Sequence, residues 1–462
     1  MRGTRRDFLR MAGGAALASR LSGQQRPPNI VMILADDLGY GDLGCYGSAI
    51  PTPNLDRIAE QGARFTHFYS ASPVCSPSRA ALLTGRYPTR VGVPAVLFPE
   101  DEIGLPASET TVAQVLKQQG YRTACVGKWH LGSKPEFLPP GRGFDEFFGV
   151  PYSHDMQPLP LMRNMATIET DTDVRMLTQR FTDQAVDFIG RSKDSPFFLY
   201  LAHIAPHIPL GTSPRFRGAA ALGPYGDVIQ ELDWSAGAVL QAVKDNGLDE
   251  KTLVIFTSDN GPWYQGSPGK LRGRKGETFE GGVREPFLAR LPGRIPAGLI
   301  SNGVASAMDA LPTFAALAGA PLPGKPLDGV NIWPLLTGQR DQVERDVLLY
   351  FDGWNLQCAR YGRWKAHFTR YNAFPWVEGP PEGRINLPLP RPELYDVEAD
   401  PEESYDLAEM NPAVVADLRA RVEKALRTFP EQVRDAWQDT IATPVEDTPS
   451  GSLPARRVVG GN

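Results

Sequence analysis

Four short apolar runs in the first part of the chain each end abruptly in polar side chains. The runs are NIVMILA, YRTACVG, PFFLYLA and TLVIFTS. Their length and their β-branched and aromatic content are typical of strands that are buried on both faces. The polar residues that follow the four runs are Asp36 and Asp37, Lys128 and His130, His203, and Asp259 and Asn260.

Segments with apolar residues at helical spacing lie between these runs. The longest of them is YGDVIQELDWSAGAVLQAVKDNG. Strands that alternate with helices predict an α/β fold with a large, mostly parallel central sheet flanked by helices. Because ligands collect beyond the carboxyl ends of such strands, we expect the polar groups to meet in one place.

The chain beyond residue 345 has a different pattern. VLLYFDGW and CARYGRWKAHFTRY predict successive strands, and NPAVVADLRARVEKALRTF predicts an amphipathic helix. We therefore expect a catalytic domain over residues 29–345 and a smaller C-terminal α+β domain with an antiparallel sheet over residues 346–435. We interpret residues 436–462 as a mobile tail.

Residues 1–28 have the layout of a twin-arginine export signal. Arg5 and Arg6 precede Phe8 and Leu9, and a short apolar stretch rich in Ala and Gly follows. A basic amphipathic helix is the alternative interpretation. The export signal implies a periplasmic or secreted protein that uses the twin-arginine export machinery.

Charge and hydropathy exclude two classes of partner. No apolar run approaches the roughly 18 residues of a membrane span, so we expect no stable membrane insertion. The formal net charge is -5, and it is about -10 without residues 1–28. A chain of this charge is not expected to bind nucleic acid, and an anionic substrate requires a local cationic pocket.

The segment VCSPSRAALLTGR predicts a helix with a cysteine at its N-terminal end. Ser76 is a favourable N-cap, Pro77 suits the first helical position, and Gly85 can end the helix. Cys75 then lies at the positive end of the helix dipole, and the side chain of Arg79, one turn later, can reach back beneath it. An anion attached at Cys75 would be held by the dipole and by a fixed cation.

Three other interpretations of Cys75 stay open at this point. In an exported protein it could form a disulfide with Cys45, Cys125 or Cys358. It could also be a thiolate nucleophile, because helix N-termini lower the pKa of a cysteine. Finally, it could lie incidentally on a capped surface helix.

Asp36, Asp37, Asp259 and Asn260 bring four oxygen donors to two strand ends. Carboxylate and amide oxygens favour Ca²⁺ or Mg²⁺ over zinc, which prefers His and Cys. Each pair alone could be a helix cap or a turn. Two pairs at equivalent strand ends favour a metal site.

Other polar residues are candidates with ordinary alternatives. Lys128 and His130 are two residues apart at a strand end, so both can project from one face. Lys275 lies in the Gly-rich basic segment LRGRKGETFEGG, which could be a solvated turn. His203 could be a core histidine bonded to the backbone.

CSPSRAALLTGR resembles the signature of the type I sulfatases, in which the cysteine of C-x-P-x-R is oxidised to formylglycine. The resemblance extends through LADDLGYGDLGCYG, VGKWHLG, GVPYSHD, FTSDNG and GKLRGRKGETFEGG, and it is strongest to the arylsulfatase A and N-acetylgalactosamine-6-sulfatase types. It implies an alkaline-phosphatase-like fold and a calcium-dependent sulfuric ester hydrolase.

The resemblance implies a ligand set for one Ca²⁺. The matching positions are Asp36, Asp37, the modified Cys75, Asp259 and Asn260.

The resemblance also implies how the site holds a sulfate ester. Arg79 would hold the hydrate of the formylglycine aldehyde, Lys128 and Lys275 would bind sulfate oxygens, and Ser153 would contact the sulfate. These cations would neutralise the anionic oxygens that otherwise repel a nucleophile.

Two histidines complete the implied mechanism. One hydroxyl of the aldehyde hydrate attacks sulfur while His203 protonates the departing alcohol, and the other, deprotonated by His130, expels sulfate. His207, four residues beyond His203, is an alternative for the first role. A formylglycine-generating enzyme is the partner implied for maturation, and a sulfated small molecule or glycan is the implied substrate.

Two other functions are compatible with these residues. A phosphomonoester or phosphonate ester hydrolase can share the fold and the formylglycine site, and a non-catalytic protein with this fold could capture sulfated glycans. Every position assigned by the resemblance holds the expected residue type, which favours hydrolysis of sulfate esters.

If Cys75 is the precursor of formylglycine, Cys75→Ala and Cys75→Ser lose multiple turnover of an aryl sulfate by at least about a thousandfold in kcat. The serine form accumulates covalent sulfate, because a single hydroxyl cannot expel it. Mass spectrometry of the peptide that contains residue 75 checks both statements. Full multiple turnover by Cys75→Ser would overturn the aldehyde mechanism.

Overall fold

The computed structural model describes residues 26–372 and 386–442. Residues 1–25 of the predicted export signal and residues 443–462 of the predicted tail lie outside these ranges. Within the two described ranges, every helix is too short or too polar to span a bilayer.

The described residues form strands and helices that alternate through the larger part of the chain. The strands are β1 (Asn29–Asp36), β2 (Ala63–Tyr69), β3 (Arg122–Lys128), β4 (Glu146–Val150), β5 (Leu161–Arg163), β6 (Ala166–Glu169), β7 (Phe197–Pro206), β8 (Thr252–Ser258), β9 (Arg284–Arg290), β10 (Leu299–Ser301), β11 (Ala305–Ser306), β12 (Leu348–Asp352), β13 (Asn355–Tyr361), β14 (Trp364–Tyr371) and β15 (Asn386–Asp396). The helices are α1 (Pro53–Glu60), α2 (Cys75–Thr84), α3 (Val112–Lys117), α4 (Leu177–Ser192), α5 (Gly223–Asp245), α6 (Glu280–Val283), α7 (Ala310–Ala318), α8 (Trp333–Leu336), α9 (Pro412–Leu426) and α10 (Glu431–Ala442).

The larger sheet has the strand order β10-β2-β9-β8-β1-β7-β3-β4-β5-β6, with β11 beside β2. The four strands predicted from the apolar runs are neighbours in the order β8-β1-β7-β3, and each adjacent pair is parallel. The antiparallel pairs lie toward the two edges. The prediction of a mostly parallel central sheet is confirmed, and the carboxyl ends of its central strands share one edge.

Both faces of the central strands are covered by apolar side chains. In β1, Ile30 and Met32 belong to one buried cluster, whereas Val31 and Ile33 belong to a second cluster on the opposite face. The second cluster includes the inner faces of α4 and α5, and the first includes residues of α2, α3 and α7. Burial on both faces explains why the strand sequences are apolar without alternation.

A second sheet, β12-β13-β14-β15, is antiparallel throughout. Its core is a third apolar cluster that also contains residues of α9 and α10. A buried ion-pair group joins it to the larger part: Lys365 Nζ lies 3.1 Å from Glu280 Oε1 and 3.2 Å from Glu403 Oε1. The predicted smaller antiparallel region is present.

The boundary drawn at residue 435 is wrong, because helix α10 continues to Ala442. Val433 and Trp437, one helical turn apart, are both buried in the third cluster. The Trp437 ring packs edge to face on Phe368, with 5.2 Å between ring centroids. Residues 436–442 are therefore part of the packed small domain and not of a tail.

Trp437→Ala is expected to lower the free energy of unfolding by about 3 kcal/mol, because it removes a large buried aromatic side chain. Ile441→Ala, on the exposed surface of the same helix, is the matched control and should change it by less than about 0.5 kcal/mol. Urea unfolding, monitored by far-ultraviolet circular dichroism, measures the free energy of unfolding of both variants. This signal reports the backbone and does not depend on the tryptophan that is removed. Equal effects of the two substitutions would show that α10 does not pack as described.

Candidate active site

Helix α2 begins two residues earlier than its sequence suggests. Its N-cap is Val74, in an extended conformation and without a side-chain cap, and not Ser76. The Ser76 hydroxyl instead accepts a hydrogen bond from the Leu97 amide at 3.1 Å, which ties the helix start to a neighbouring loop. Gly85 ends the helix as predicted, in a left-handed conformation with φ of 69°.

Cys75 is therefore the first residue of a helix whose ten residues are all buried. This burial excludes an incidental position on a surface helix. All four cysteines are free, so the structure contains no disulfide at Cys75. Burial raises the pKa of the Cys75 thiol to about 12 despite the nearby lysines Lys128 and Lys275, so the thiol is protonated at neutral pH and is a poor nucleophile.

Arg79 lies beneath Cys75 and is completely buried. Its Nε donates to Asp259 Oδ2 at 2.9 Å, and its Nη2 forms an ion pair with the same oxygen at 2.8 Å. Its Nη1 donates to the Lys128 backbone carbonyl at 2.9 Å. The guanidinium is thus held against the ends of β8 and β3 and does not line the open pocket.

Lys128 connects the ends of β1 and β3. Its Nζ donates to Asp36 Oδ2 at 2.7 Å and to Ser153 Oγ at 3.1 Å. Burial acts to raise the pKa of Asp36, but Lys128 and the other surrounding cations outweigh it and hold the pKa below its usual range. The hydrogen bond from Lys128 places the Ser153 hydroxyl next to a cation in the site.

Asp37 is the centre of a second set of contacts. Lys275 Nζ donates to its Oδ2 at 2.9 Å, and Asn260 Nδ2 donates to its Oδ1 at 2.8 Å. Its backbone amide donates to Asp259 Oδ1 at 3.2 Å. Lys275 is buried and its pKa is raised, because Asp37 and other anionic groups outweigh the opposing effect of burial. The alternative that Lys275 lies in a solvated turn is wrong.

His130 has a defined orientation in the site. Its Nε2 lies 2.9 Å from the Leu97 carbonyl oxygen, which fixes Nε2 as the protonated nitrogen. The other ring nitrogen, Nδ1, is buried and has no hydrogen-bond partner. Burial, followed by Lys128 and Arg79, lowers the pKa of His130 well below its usual range. The imidazole is therefore neutral, with Nδ1 ready to accept a proton.

The prediction that His203 lies in the site is wrong. Strand β7 does not end at His203 but continues to Pro206, which pairs with Asp36 at the end of β1. His203 lies inside the strand, and its Nε2 is 3.0 Å from Ser235 Oγ on α5. Its side chain is buried, as the core alternative proposed, but its partner is the Ser235 side chain and not the backbone.

His207, the alternative histidine, lines the pocket instead. It follows the end of β7, and its Nε2 lies 3.6 Å from Asp37 Oδ2. Its Nδ1 hydrogen-bonds to the Ile208 carbonyl, so Nε2 is the nitrogen that faces the site. Burial, and then Lys275, lowers the pKa of His207.

These residues surround a pocket of about 220 Å³. Its polar lining consists of Asp37, Cys75, His130, Ser153, Asp155, His207 and Lys275. Its apolar lining consists of Val96, Phe98, Met156, Ile208 and Trp263. This apolar lining could not be predicted from the sequence, because its residues lie in irregular segments where no periodic pattern marks a shared surface.

The carboxylate and amide oxygens at the strand ends fit a hard divalent cation, whereas the nearby Cys75 sulfur and His207 nitrogen are softer donors. Single ligand atoms of Asp36, Asp37, Cys75 and His207 all lie within 4.8 Å of one another. Asp36 Oδ1 and Asn260 Oδ1 are buried oxygens without a hydrogen-bond partner, which is costly unless a cation or donor satisfies them. Both oxygens of the fifth predicted ligand, Asp259, already accept hydrogen bonds.

Two protein-family profiles match the chain. The family profile described as Sulfatase matches residues 28–320, and the profile described as C-terminal region of aryl-sulfatase matches residues 343–449.

The chain belongs to the sulfatase family.

Relatives of this sulfatase align over most of its length. It is 42% identical to human (Homo sapiens) arylsulfatase A over 92% of this chain and 93% of the human protein. It is 42% identical to the N-acetylgalactosamine-6-sulfatase of Canis lupus familiaris over 75% of this chain and 73% of the dog protein. It is 35% identical to the steryl-sulfatase of Mus musculus over 88% of this chain and 84% of the mouse protein.

Solved structures give the same result. PsFucS1 sulfatase from Pseudoalteromonas sp. superposes with a TM-score of 0.81 at 28% identity, covering 93% of this chain and 96% of that one. Ps i-CgsB, solved in complex with k-i-k-neocarrahexaose, superposes with a TM-score of 0.76 at 30% identity, covering 90% and 98%. The predicted alkaline-phosphatase-like fold is confirmed, and the protein is a sulfuric ester hydrolase.

His207→Ala is expected to lower kcat by about 10²-fold to 10⁴-fold, the range for loss of a proton-transfer group. The loss should be larger for an alkyl sulfate than for a nitrophenyl sulfate, because a good leaving group needs less protonation. His203→Ala is the matched control and should lower stability while changing kcat by less than about threefold. Steady-state kinetics on both esters test this, and a larger loss in His203→Ala would restore the original assignment.

Proposed function

We propose that this sulfatase hydrolyses sulfate monoesters of aryl or carbohydrate alcohols, using a formylglycine made from Cys75 and one Ca²⁺. The observation that carries the proposal is the cluster at the strand ends. It places Cys75 at a helix N-terminus, near Lys128 and Lys275. Asp36 Oδ1, which lies 3.5 Å from Arg79 Nη2, and Asn260 Oδ1 are buried oxygens of the same cluster without a hydrogen-bond partner.

The two lysines are placed to bind the anionic oxygens of the ester. Lys275 lines the pocket directly, and Lys128 bonds to Ser153, which also lines it. Each ammonium group has three donors, and the contacts to Asp36 and Asp37 leave donors for a ligand. A bound sulfate would therefore meet preorganised cations in a site that excludes most water.

The two pocket histidines are placed for opposite proton transfers. His130 Nδ1 is an unpartnered acceptor beside the start of α2, so it can take a proton from a hydroxyl at position 75. His207 Nε2 faces the pocket on the side of Asp37 and can give a proton to the departing alcohol oxygen. The negative charge of a bound ester favours protonated His207 and so opposes the effect of burial on its pKa.

Asp36, Asp37, Asp259, Asn260 and residue 75 are the groups that would hold Ca²⁺. A bound Ca²⁺ adds positive charge against the sulfate oxygens, and a hydrated aldehyde at residue 75 supplies the nucleophilic hydroxyl. Arg79 would support the metal ligands and residue 75 indirectly, because it holds Asp259 and the end of β3 in place.

An aryl alcohol or a sugar alcohol fits the apolar side chains that line the pocket. Its rim contains Phe98, Met156 and Trp263, and aromatic side chains pack equally well on an aryl ring or on the apolar face of a sugar. The names of the relatives include a steryl sulfatase and a sulfatase of N-acetylgalactosamine 6-sulfate. Export through a twin-arginine signal and oxidation by a formylglycine-generating enzyme are parts of the same proposal.

The test of this function is the ratio of kcat/KM for an aryl sulfate to that for the matching aryl phosphate. We expect the sulfate to be preferred by at least about tenfold, which corresponds to about 1.4 kcal/mol of transition-state stabilisation. The reason is that a phosphate monoester carries an additional negative charge at neutral pH. Lys275→Ala should lose activity on both esters.

Two results would contradict the proposal. A preference for phosphate would make the protein a phosphoester hydrolase of the same fold. No turnover of either ester, by protein whose residue 75 is shown by mass to be oxidised, would favour a non-catalytic binder.

A further inference from the structure

A second, larger cavity lies beside the catalytic pocket. Its volume is about 760 Å³, and it is formed by the segment 264–279 on one side and by strands β13 and β14 on the other. Three arginines line it, Arg272, Arg274 and Arg370, and the carboxylate of Glu277 is the only acidic group among its described lining residues. In a chain of net negative charge, this is a concentration of positive charge that packing alone does not require.

Two of these guanidinium groups form no ion pair with a carboxylate within 4.0 Å in the described part of the chain, although Arg274 acts electrostatically on Asp42. Arg272 Nη1 donates to the Glu403 backbone carbonyl at 2.8 Å. Arg274 Nη1 donates to the backbone carbonyls of Trp263 at 3.0 Å and Gly266 at 2.8 Å. Arg272 also hydrogen-bonds to the Tyr395 hydroxyl. Each guanidinium has five N–H donors, so several of them are not used by these bonds.

The third arginine, Arg370, is oriented by an ion pair with Glu393. Its Nε is nevertheless buried and has no hydrogen-bond partner. A buried charged donor without an acceptor is costly. An anionic group in the cavity would supply the acceptor.

Aromatic rings hold the arginines in place. The Arg272 guanidinium lies over the Phe279 ring at 4.0 Å from its centroid, and the Arg274 guanidinium lies 5.7 Å from the Tyr264 centroid. Stacking restricts the side chains, so less conformational entropy is lost when they bind a ligand. Arginines combined with aromatic faces suit an anionic sugar.

One segment separates this cavity from the catalytic pocket. Trp263 and Lys275 line the catalytic pocket, whereas their neighbours Tyr264 and Arg274 line the second cavity. The rings of Trp263 and Tyr264 contact each other, with 4.9 Å between centroids. The two cavities are therefore lined by adjacent residues of one segment, on the two sides of this aromatic pair.

We infer that the second cavity binds a further anionic group, a sulfate or a carboxylate, of the same oligosaccharide whose sulfate ester enters the catalytic pocket. This inference rests on the proposed function, since it assigns the substrate class: a polyanionic carbohydrate. An isolated aryl sulfate fills the catalytic pocket alone and does not use the arginines.

The test is inhibition of aryl monosulfate hydrolysis by hexasaccharides from carrageenan, chondroitin sulfate and heparin. We expect at least one of them to inhibit the wild type with an inhibition constant at least about tenfold lower than for Arg272→Gln, as loss of a charge-assisted hydrogen bond predicts. Arg340→Gln, at an exposed position just after α8, is the matched control for charge and should resemble the wild type. kcat/KM for the aryl monosulfate should stay within about twofold in all variants.

Inhibition by inorganic sulfate distinguishes an oligosaccharide subsite from a site for a free ion. Inorganic sulfate should inhibit the wild type and Arg272→Gln alike; a tenfold difference with sulfate alone would mean that the cavity takes a free ion, and would overturn the inference. Arg370→Gln repeats the test if Arg272→Gln does not fold. Equal inhibition of all variants by every hexasaccharide, or no inhibition at all, also overturns it.

A binding measurement distinguishes failure of this inference from failure of the proposed function. Calorimetry on Cys75→Ala, with and without Arg272→Gln, measures hexasaccharide affinity without turnover. If the wild type does not hydrolyse the aryl sulfate, the proposed function fails; if the two calorimetric affinities are equal, the second cavity is not a subsite.

Discussion

The buried guanidinium of Arg79 is the interaction on which the site depends. It joins helix α2 to the ends of β8 and β3 through Asp259 and the Lys128 carbonyl, and its Nη2 lies 3.5 Å from Asp36 at the end of β1. Breaking a buried ion pair by removing one partner costs about 3–5 kcal/mol. The relative positions of one helix start and three strand ends are therefore fixed by a single side chain.

The four adjacent strands β8, β1, β7 and β3, out of the eleven in the large sheet, could be predicted from the sequence, because a strand buried on both faces is an uninterrupted apolar run. The end of β7 could not be predicted from the sequence. A histidine inside that run looks like the polar residue that ends it, but His203 is satisfied by Ser235, which is distant in sequence. His207 is level with Asp37 only because β7 pairs with β1 as far as Pro206. Tertiary hydrogen bonds and strand register of this kind leave no local pattern.

The polar residues of the site were also within reach of the sequence, since each follows an apolar strand or lies in a recognisable motif. Their geometry was not. Asp37 and His130 both have left-handed backbone conformations, with φ of 64° and 60°, which are strained for non-glycine residues and are typical of functional sites. The roles of Ser76 and Trp437 could not be predicted either, because their partners are far away in the chain. The Ser76 hydroxyl accepts a hydrogen bond from the Leu97 amide, and the Trp437 ring packs on Phe368.

Because Cys75 is buried in the folded protein, any enzymatic modification of it must come before folding. Its side chain is 2% exposed, at the floor of a pocket of about 220 Å³. That space admits a small ester but not the active site of a second protein. An enzyme that alters this residue must therefore act while the segment VCSPSRAALLTGR is still extended. Once the chain has folded, such an enzyme can no longer reach residue 75. A chain that folds with an unaltered thiol must unfold before Cys75 can be modified.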